Sequence, residues 1–94
     1  MKAIALDAHV IDALMRDLVG HDRTPAAFIV YLWLWRRTVG ADRTVIGISL
    51  QEISHATGLS KAAVKRLKLR RLISASRPGP TLAPSYRVHM PWRD

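Results

Sequence analysis

Residues 49–64 read Ser49-Leu50-Gln51-Glu52-Ile53-Ser54-His55-Ala56-Thr57-Gly58-Leu59-Ser60-Lys61-Ala62-Ala63-Val64. Ser49 and Glu52 have the spacing of a capping box: the hydroxyl accepts from the Glu52 N–H, and the Glu52 side chain reaches back to the Ser49 N–H. A helix therefore starts at Leu50, with Ile48 and Ile53 placed as a hydrophobic staple. It ends near Thr57, because Gly58 supplies the positive φ of a tight reversal. Ser60 then stands as the cap of another helix that opens with Lys61. Two short helices joined by a Gly-containing turn, the second rich in Lys and Arg, make a helix-turn-helix. Ile53, Leu59, Val64 and Leu67 are expected to face inward, and Ser54 is small where the helices cross. At about 100° per residue, Ala63, Val64 and Leu67 fall on one side of the later helix. Lys61, Lys65 and Lys68 fall on the other, with Ala62 and Arg66 at the flank. The cationic side begins at a helix N-terminus, which already favours phosphate.

Working outward, Val45-Ile46-Gly47-Ile48 is a brief strand. Downstream, Ile73 to Arg77 and Tyr86 to Met90 pair as a hairpin around the turn-rich loop Pro78 to Pro84, with Tyr86, Val88 and Met90 alternating against Arg87 and His89. Running the helix of Ser60 on to Arg71 would turn that arginine toward the core, so regular helix is expected to stop near Lys68 or Leu69. Upstream, Leu6, Val10, Leu14 and Leu18 recur every four residues, giving a helix over about 8–19 with Asp7 as N-cap, Gly20 as its stop and Asp12–Arg16 as an outer ion pair. A further helix begins at Thr24-Pro25 and ends by Arg36, Arg37 and Gly40. Its stretch Ala26 to Trp35 is apolar on every side, more than so small a domain is expected to cover. Tyr31, Trp33 and Trp35 are therefore assigned to contact with a second copy, giving a homodimer; the other reading is that these aromatics fill the core.

The segment 49–64, with Arg71-Leu72-Ile73 and Tyr86-Arg87-Val88 as the two ends of the hairpin, resembles the winged-helix helix-turn-helix family of small bacterial DNA-binding transcriptional regulators. The resemblance covers roughly residues 45–90 and is most specific at Thr57-Gly58-Leu59-Ser60. It implies a mainly α fold with a small β wing, about four helices in all, that binds double-stranded DNA with one helix in the major groove and the hairpin on the backbone or minor groove. Residues 1–94 then form one domain, with N-terminal helices over 1–44 and the helix-turn-helix and wing over 45–90.

Charge agrees. The 94 residues carry 15 Lys+Arg against 7 Asp+Glu, a net +8. Residues 1–52 are balanced, whereas no acid lies between Glu52 and Asp94, a stretch that holds Lys61, Lys65, Arg66, Lys68, Arg70, Arg71, Arg77, Arg87 and Arg93. A one-sided field of this kind suits a polyanion. With no cysteine, disulfide scaffolds, zinc fingers and thiol nucleophiles are excluded. His9, His21, His55 and His89 are scattered without metal-ligand spacing, no catalytic constellation or phosphate loop appears, and no cofactor or small-molecule ligand is indicated, so the chain does not read as an enzyme. The longest apolar run is too short for a bilayer, where about 20 residues are needed, and no leader is evident. The expected location is cytoplasmic and nucleoid-associated.

The DNA contacts expected are Ser60, Lys61, Ala62, Lys65, Arg66 and Lys68 on the recognition helix, with Arg66 suited to a bidentate guanine contact and the lysines to phosphate. Arg70 and Arg77 extend this set toward the wing, and Gln51, His55 and Thr57 approach the backbone from the preceding helix. A winged-helix protein-interaction module and the DNA-binding module of a plasmid or phage replication initiator are the alternatives.

Overall fold

Apolar spacing sets the order of elements. In the computed structural model, which describes residues 1–80 and 82–93, a leading helix with wide turns over Val10–Leu14 and Arg16–His21 is followed by α1 (Pro25–Arg37), β1 (Val45–Gly47), α2 (Leu50–Thr57), α3 (Ala62–Leu69), β2 (Ile73–Ser76) and β3 (Ser85–Val88). The fold is mainly α with a small β wing, as expected. The capping box forms: Ser49 Oγ accepts from the Glu52 N–H at 3.0 Å, and Glu52 Oε1 accepts from the Ser49 N–H at 3.4 Å. Gly58 ends α2 at φ 72°. The hairpin of β2 and β3 also forms, and β1 adds to the free edge of β3, giving an antiparallel sheet in the order β1-β3-β2. Ile46 and Ala75 both register with Tyr86. Ile46, Ile73, Tyr86 and Val88 point into the core, and Arg87 points out. Of the expected loop Pro78 to Pro84, Thr81 lies outside the described residues, as does Asp94.

Helix α1 is the central pillar, and here the sequence reading is corrected. Tyr31 and Trp35 are 0% and 1% exposed, so they belong to the core of a single chain and not to a face for a second copy. Chain from both ends covers them. The Tyr31 hydroxyl donates to the His89 carbonyl at 2.8 Å, and Trp35 Nε1 donates to the Ala5 carbonyl at 2.9 Å. Trp33 is half-buried, with the Arg37 guanidinium 5.5 Å from the centre of its ring. Pro25 takes the first position of the helix, but the Thr24 hydroxyl donates to the Leu18 carbonyl instead of capping. Gly40 does not end the helix either. The chain turns at Thr38, and Gly40 provides room, since a Cβ there would come within 3.2 Å of Ile4 Cγ2.

The leading helix departs from the α-helix expected. The Met15 N–H donates to the Val10 carbonyl and the Asp22 N–H to that of Asp17, both five residues back. Such turns are wider than those of an α-helix. They line up Val10, Leu14 and Leu18, all buried, along one side. Gly20 sits inside the helix, and the left-handed residue after it is Arg23, φ 55°. Asp12 and Arg16 form no ion pair within the described chain.

Asp7 precedes this helix, but its carboxylate turns to the other end of the chain. It accepts from Trp92 Nε1 at 2.8 Å and from Arg93 Nε and Nη2 at 2.7 Å each. His9 stacks on Trp92, with ring centroids 4.5 Å apart. Arg93 above all, then Trp92, holds the Asp7 carboxyl down at about 2. A carboxyl whose pKa is lower folded than unfolded stabilises the fold above its unfolded value, near 3.8, and ceases to do so as pH falls through its folded value. Asp7→Asn is therefore expected to lower stability at pH 7, with the gap to wild type closing between about pH 4 and pH 2. Urea melts across that range measure it, and a gap independent of pH would contradict the assignment.

Helix α3 stops at Leu69, within the expected range, through a Schellman motif. The Leu72 N–H donates to the Leu67 carbonyl and the Arg71 N–H to that of Lys68, both at 3.0 Å. The left-handed position is filled by Arg71, φ 57°, where glycine is the usual residue. A side chain there costs about 1 kcal/mol. Arg71→Gly is thus expected to stabilise the fold by about that amount, raising the melting midpoint roughly 4–8 °C. An unchanged or lower midpoint would show that the arginine side chain contributes packing that offsets its backbone strain.

Candidate nucleic-acid interface

The core side of α3 is buried at Ala63, Val64 and Leu67, while Lys61, Ala62, Lys65, Arg66 and Lys68 are all exposed. Packing against α1 and β2 fixes this rotation, because the helix has only one apolar side to bury. The turn before it is tightly held. The Thr57 hydroxyl donates to the Ile53 carbonyl at 2.8 Å and accepts from the Leu59 N–H at 3.3 Å, and the Ser54 hydroxyl donates to the Leu59 carbonyl. Thr57, expected at the DNA backbone, is thus half-buried with its hydroxyl engaged in both directions, and it holds the turn instead. Ser60 does not cap α3. The helix opens one residue late, at Ala62, with Lys61 in helical conformation ahead of it and no side-chain cap. The exposed Ser60 hydroxyl makes no hydrogen bond among the described residues. Gln51 and His55, both exposed, share a cleft of about 520 Å³ at this turn with Lys61.

The two arginines after α3 part company. Arg70 is turned away to the leading helix, where Nη1 lies 3.1 Å from Asp22 Oδ1 and Nη2 3.7 Å from Asp17 Oδ2. The side chain of Asp22 is only 7% exposed, and the His21 ring, then Arg70, keeps its carboxyl below the usual carboxylate range. Arg70 is a strut between α3 and the leading helix, so the expected DNA contact is corrected: the stretch free of acids in sequence is not free of them in space. Arg71 is the exposed member of the pair. With Lys68 it lines an open cleft of about 700 Å³ walled by Ile73, Ala75 and Met90.

At the wing, Arg77 is exposed and Nη1 donates to the Leu82 carbonyl at 3.2 Å. A cleft of about 550 Å³ runs between Arg77 and Lys68, with Tyr86 in its lining and Lys68 Nζ 5.7 Å from the centre of that ring. Arg87 is exposed on β3. Arg71 and Arg87 were not among the expected contacts. Arg87 had a signal, since burial of Tyr86 and Val88 in an alternating strand directs it outward. The left-handed turn that exposes Arg71 had none in the residue itself.

Among the described residues, Lys61, Lys65, Arg66, Lys68, Arg71, Arg77 and Arg87 form no ion pair. The charge of Arg66 still reaches Asp22 and helps keep its carboxyl down, so the field of this group is only lightly offset among the described residues. No group of His, Asp and Glu among the described residues has the arrangement of a metal site, and no helix there is long and apolar enough to cross a membrane. No protein-family model, curated protein or solved structure matches the chain.

Proposed function

We propose that this protein is a sequence-specific double-stranded DNA-binding transcriptional regulator, associated with the nucleoid, that seats α3 in the major groove and rests the hairpin of β2 and β3 on the backbone. The observation carrying the reading is the exposed face Lys61-Lys65-Arg66-Lys68, which is unpaired and mounted on a helix whose other side is locked into the core. The major groove admits a helix. In this reading Arg66 makes a bidentate contact to guanine, Ala62 lies against a base edge, and Ser60, Lys61, Lys65 and Lys68 hold phosphates. Gln51 and His55 flank the backbone from α2, and Arg77, Arg71 and Arg87 serve the wing side. The eight residues of α3 span roughly 12 Å, or about three to four base pairs, so one chain reads a short half-site.

The test is selection of bound fragments from random duplex DNA, followed by titration of the selected site against salt. Each phosphate neutralised releases counterion, so the three lysines and the three wing-side arginines should lower affinity about a thousandfold between about 50 and 200 mM salt. No enrichment and no shift at low salt would remove the reading and leave protein docking as the function. A replication initiator's binding module would use this same face, and the position of the selected sites relative to promoters or origins separates the two.

A further inference from the structure

We infer that the leading helix is a homodimerisation surface, packing antiparallel on the same helix of a second copy about a two-fold axis at Met15. This goes beyond DNA binding and does not depend on it. The wide turns bring residues four apart nearly in line, so the helix carries straight stripes. One stripe, Val10-Leu14-Leu18, is core. The next, Ile11-Met15-Val19, is 45%, 40% and 39% exposed along its length. Single exposed apolar residues are ordinary, but three in one line form a seam.

The choice of occupant rests on charge. Beside the seam run Asp12 and Arg16, both exposed and without an ion-pair partner among the described residues, although their i,i+4 spacing would normally let them meet. Reversing the helix about Met15 places Ile11 against the partner's Val19. It also brings Asp12 to the partner's Arg16, and Arg16 to the partner's Asp12. A two-fold contact must be complementary to itself in this way. The opposite flank is already engaged, since Asp17 reaches Arg70 on α3. The seam therefore lies on the side away from α3, and a second copy seated there leaves the cationic face open. Residues 1–52 also carry no net charge, so two chains of net +8 meet by the half that repels least.

Sedimentation equilibrium on the full chain tests this. Wild type is expected to be a dimer. Met15→Glu, which sets two carboxylates at the axis, should give a monomer with unchanged circular dichroism, because Met15 is exposed. Asp12→Arg and Arg16→Asp should each weaken the dimer roughly tenfold or more, and the two together should restore it. A monomeric wild type, a dimer that survives Met15→Glu, or a double swap no tighter than the single ones would overturn the inference. Binding of Met15→Glu to a single DNA half-site is expected to be unchanged, so loss of dimerisation and loss of DNA binding are read separately.

Discussion

Lys65→Ala combined with Arg66→Ala is expected to abolish sequence-specific duplex binding while leaving the thermal midpoint almost where it was. Both side chains are exposed and neither is in an ion pair, and although Arg66 lines a cleft with Thr24 and Pro25 at the start of α1, surface changes of this kind cost within about 0.5 kcal/mol. On DNA the losses are unequal in kind. A bidentate arginine–guanine contact discriminates by roughly 1–3 kcal/mol, so Arg66→Ala alone should relax the preference at one base pair. Lys65→Ala alone should weaken every sequence alike and reduce the salt slope by about 1. Arg70→Ala is the contrast: it strips the guanidinium from the nearly buried Asp22, so it should lower stability and leave the salt slope unchanged. Fluorescence anisotropy with the selected site, beside thermal melts, distinguishes these outcomes. Undiminished affinity in the double variant would mean that α3 does not enter the groove.

Where the local chemistry is complete within a few residues, the fold was legible. Ser49, Glu52 and Gly58 fix α2 because their hydrogen bonds and φ are satisfied inside the segment itself. The split of α3 into core and cationic sides followed from helical period and held residue by residue. Two of the errors share a cause: they concern groups whose partners lie in distant chain. Asp7 looked like a cap and instead binds Trp92 and Arg93. Gly40 looked like a stop and instead makes space for Ile4. The four-residue spacing from Leu6 to Leu18 carried an unread signal, since an α-helix drifts about 40° over each such step and a wider turn removes that drift.

The candidate interface was legible in its centre and not at its edges. Lys61, Lys65, Arg66 and Lys68 lie on one short helix, whose period alone decides which way they face. Arg70 and Arg71 lie at its end, where one left-handed residue reassigns directions, and adjacent arginines then go to opposite fates, one to Asp22 and one to solvent. Charge counted along the chain said nothing of this, because Asp17 sits on another helix and Asp22 at its end.

The same difference between local and distant partners makes Trp35→Ala the most damaging single change expected in the core. Its indole is 1% exposed, lies 6.2 Å from the Tyr31 ring and beneath Arg93, and ties α1 to the N-terminal segment through Ala5. Truncating a buried tryptophan costs about 3–5 kcal/mol, against a total of roughly 5–15 for a domain. Here the Ala5 carbonyl also loses its donor. The melting midpoint should fall by at least about 15 °C, with part of the protein unfolded at 37 °C. Trp33→Ala, at a half-buried position beside Arg37, should cost far less. Had Trp35 belonged to a face between copies, the damage would appear in the association constant and the stability of one chain would be untouched. Thermal melts of Trp35→Ala and wild type, both carrying Met15→Glu, separate the two. A difference below about 1 kcal/mol in that background would contradict the core assignment and return Trp35 to an interface.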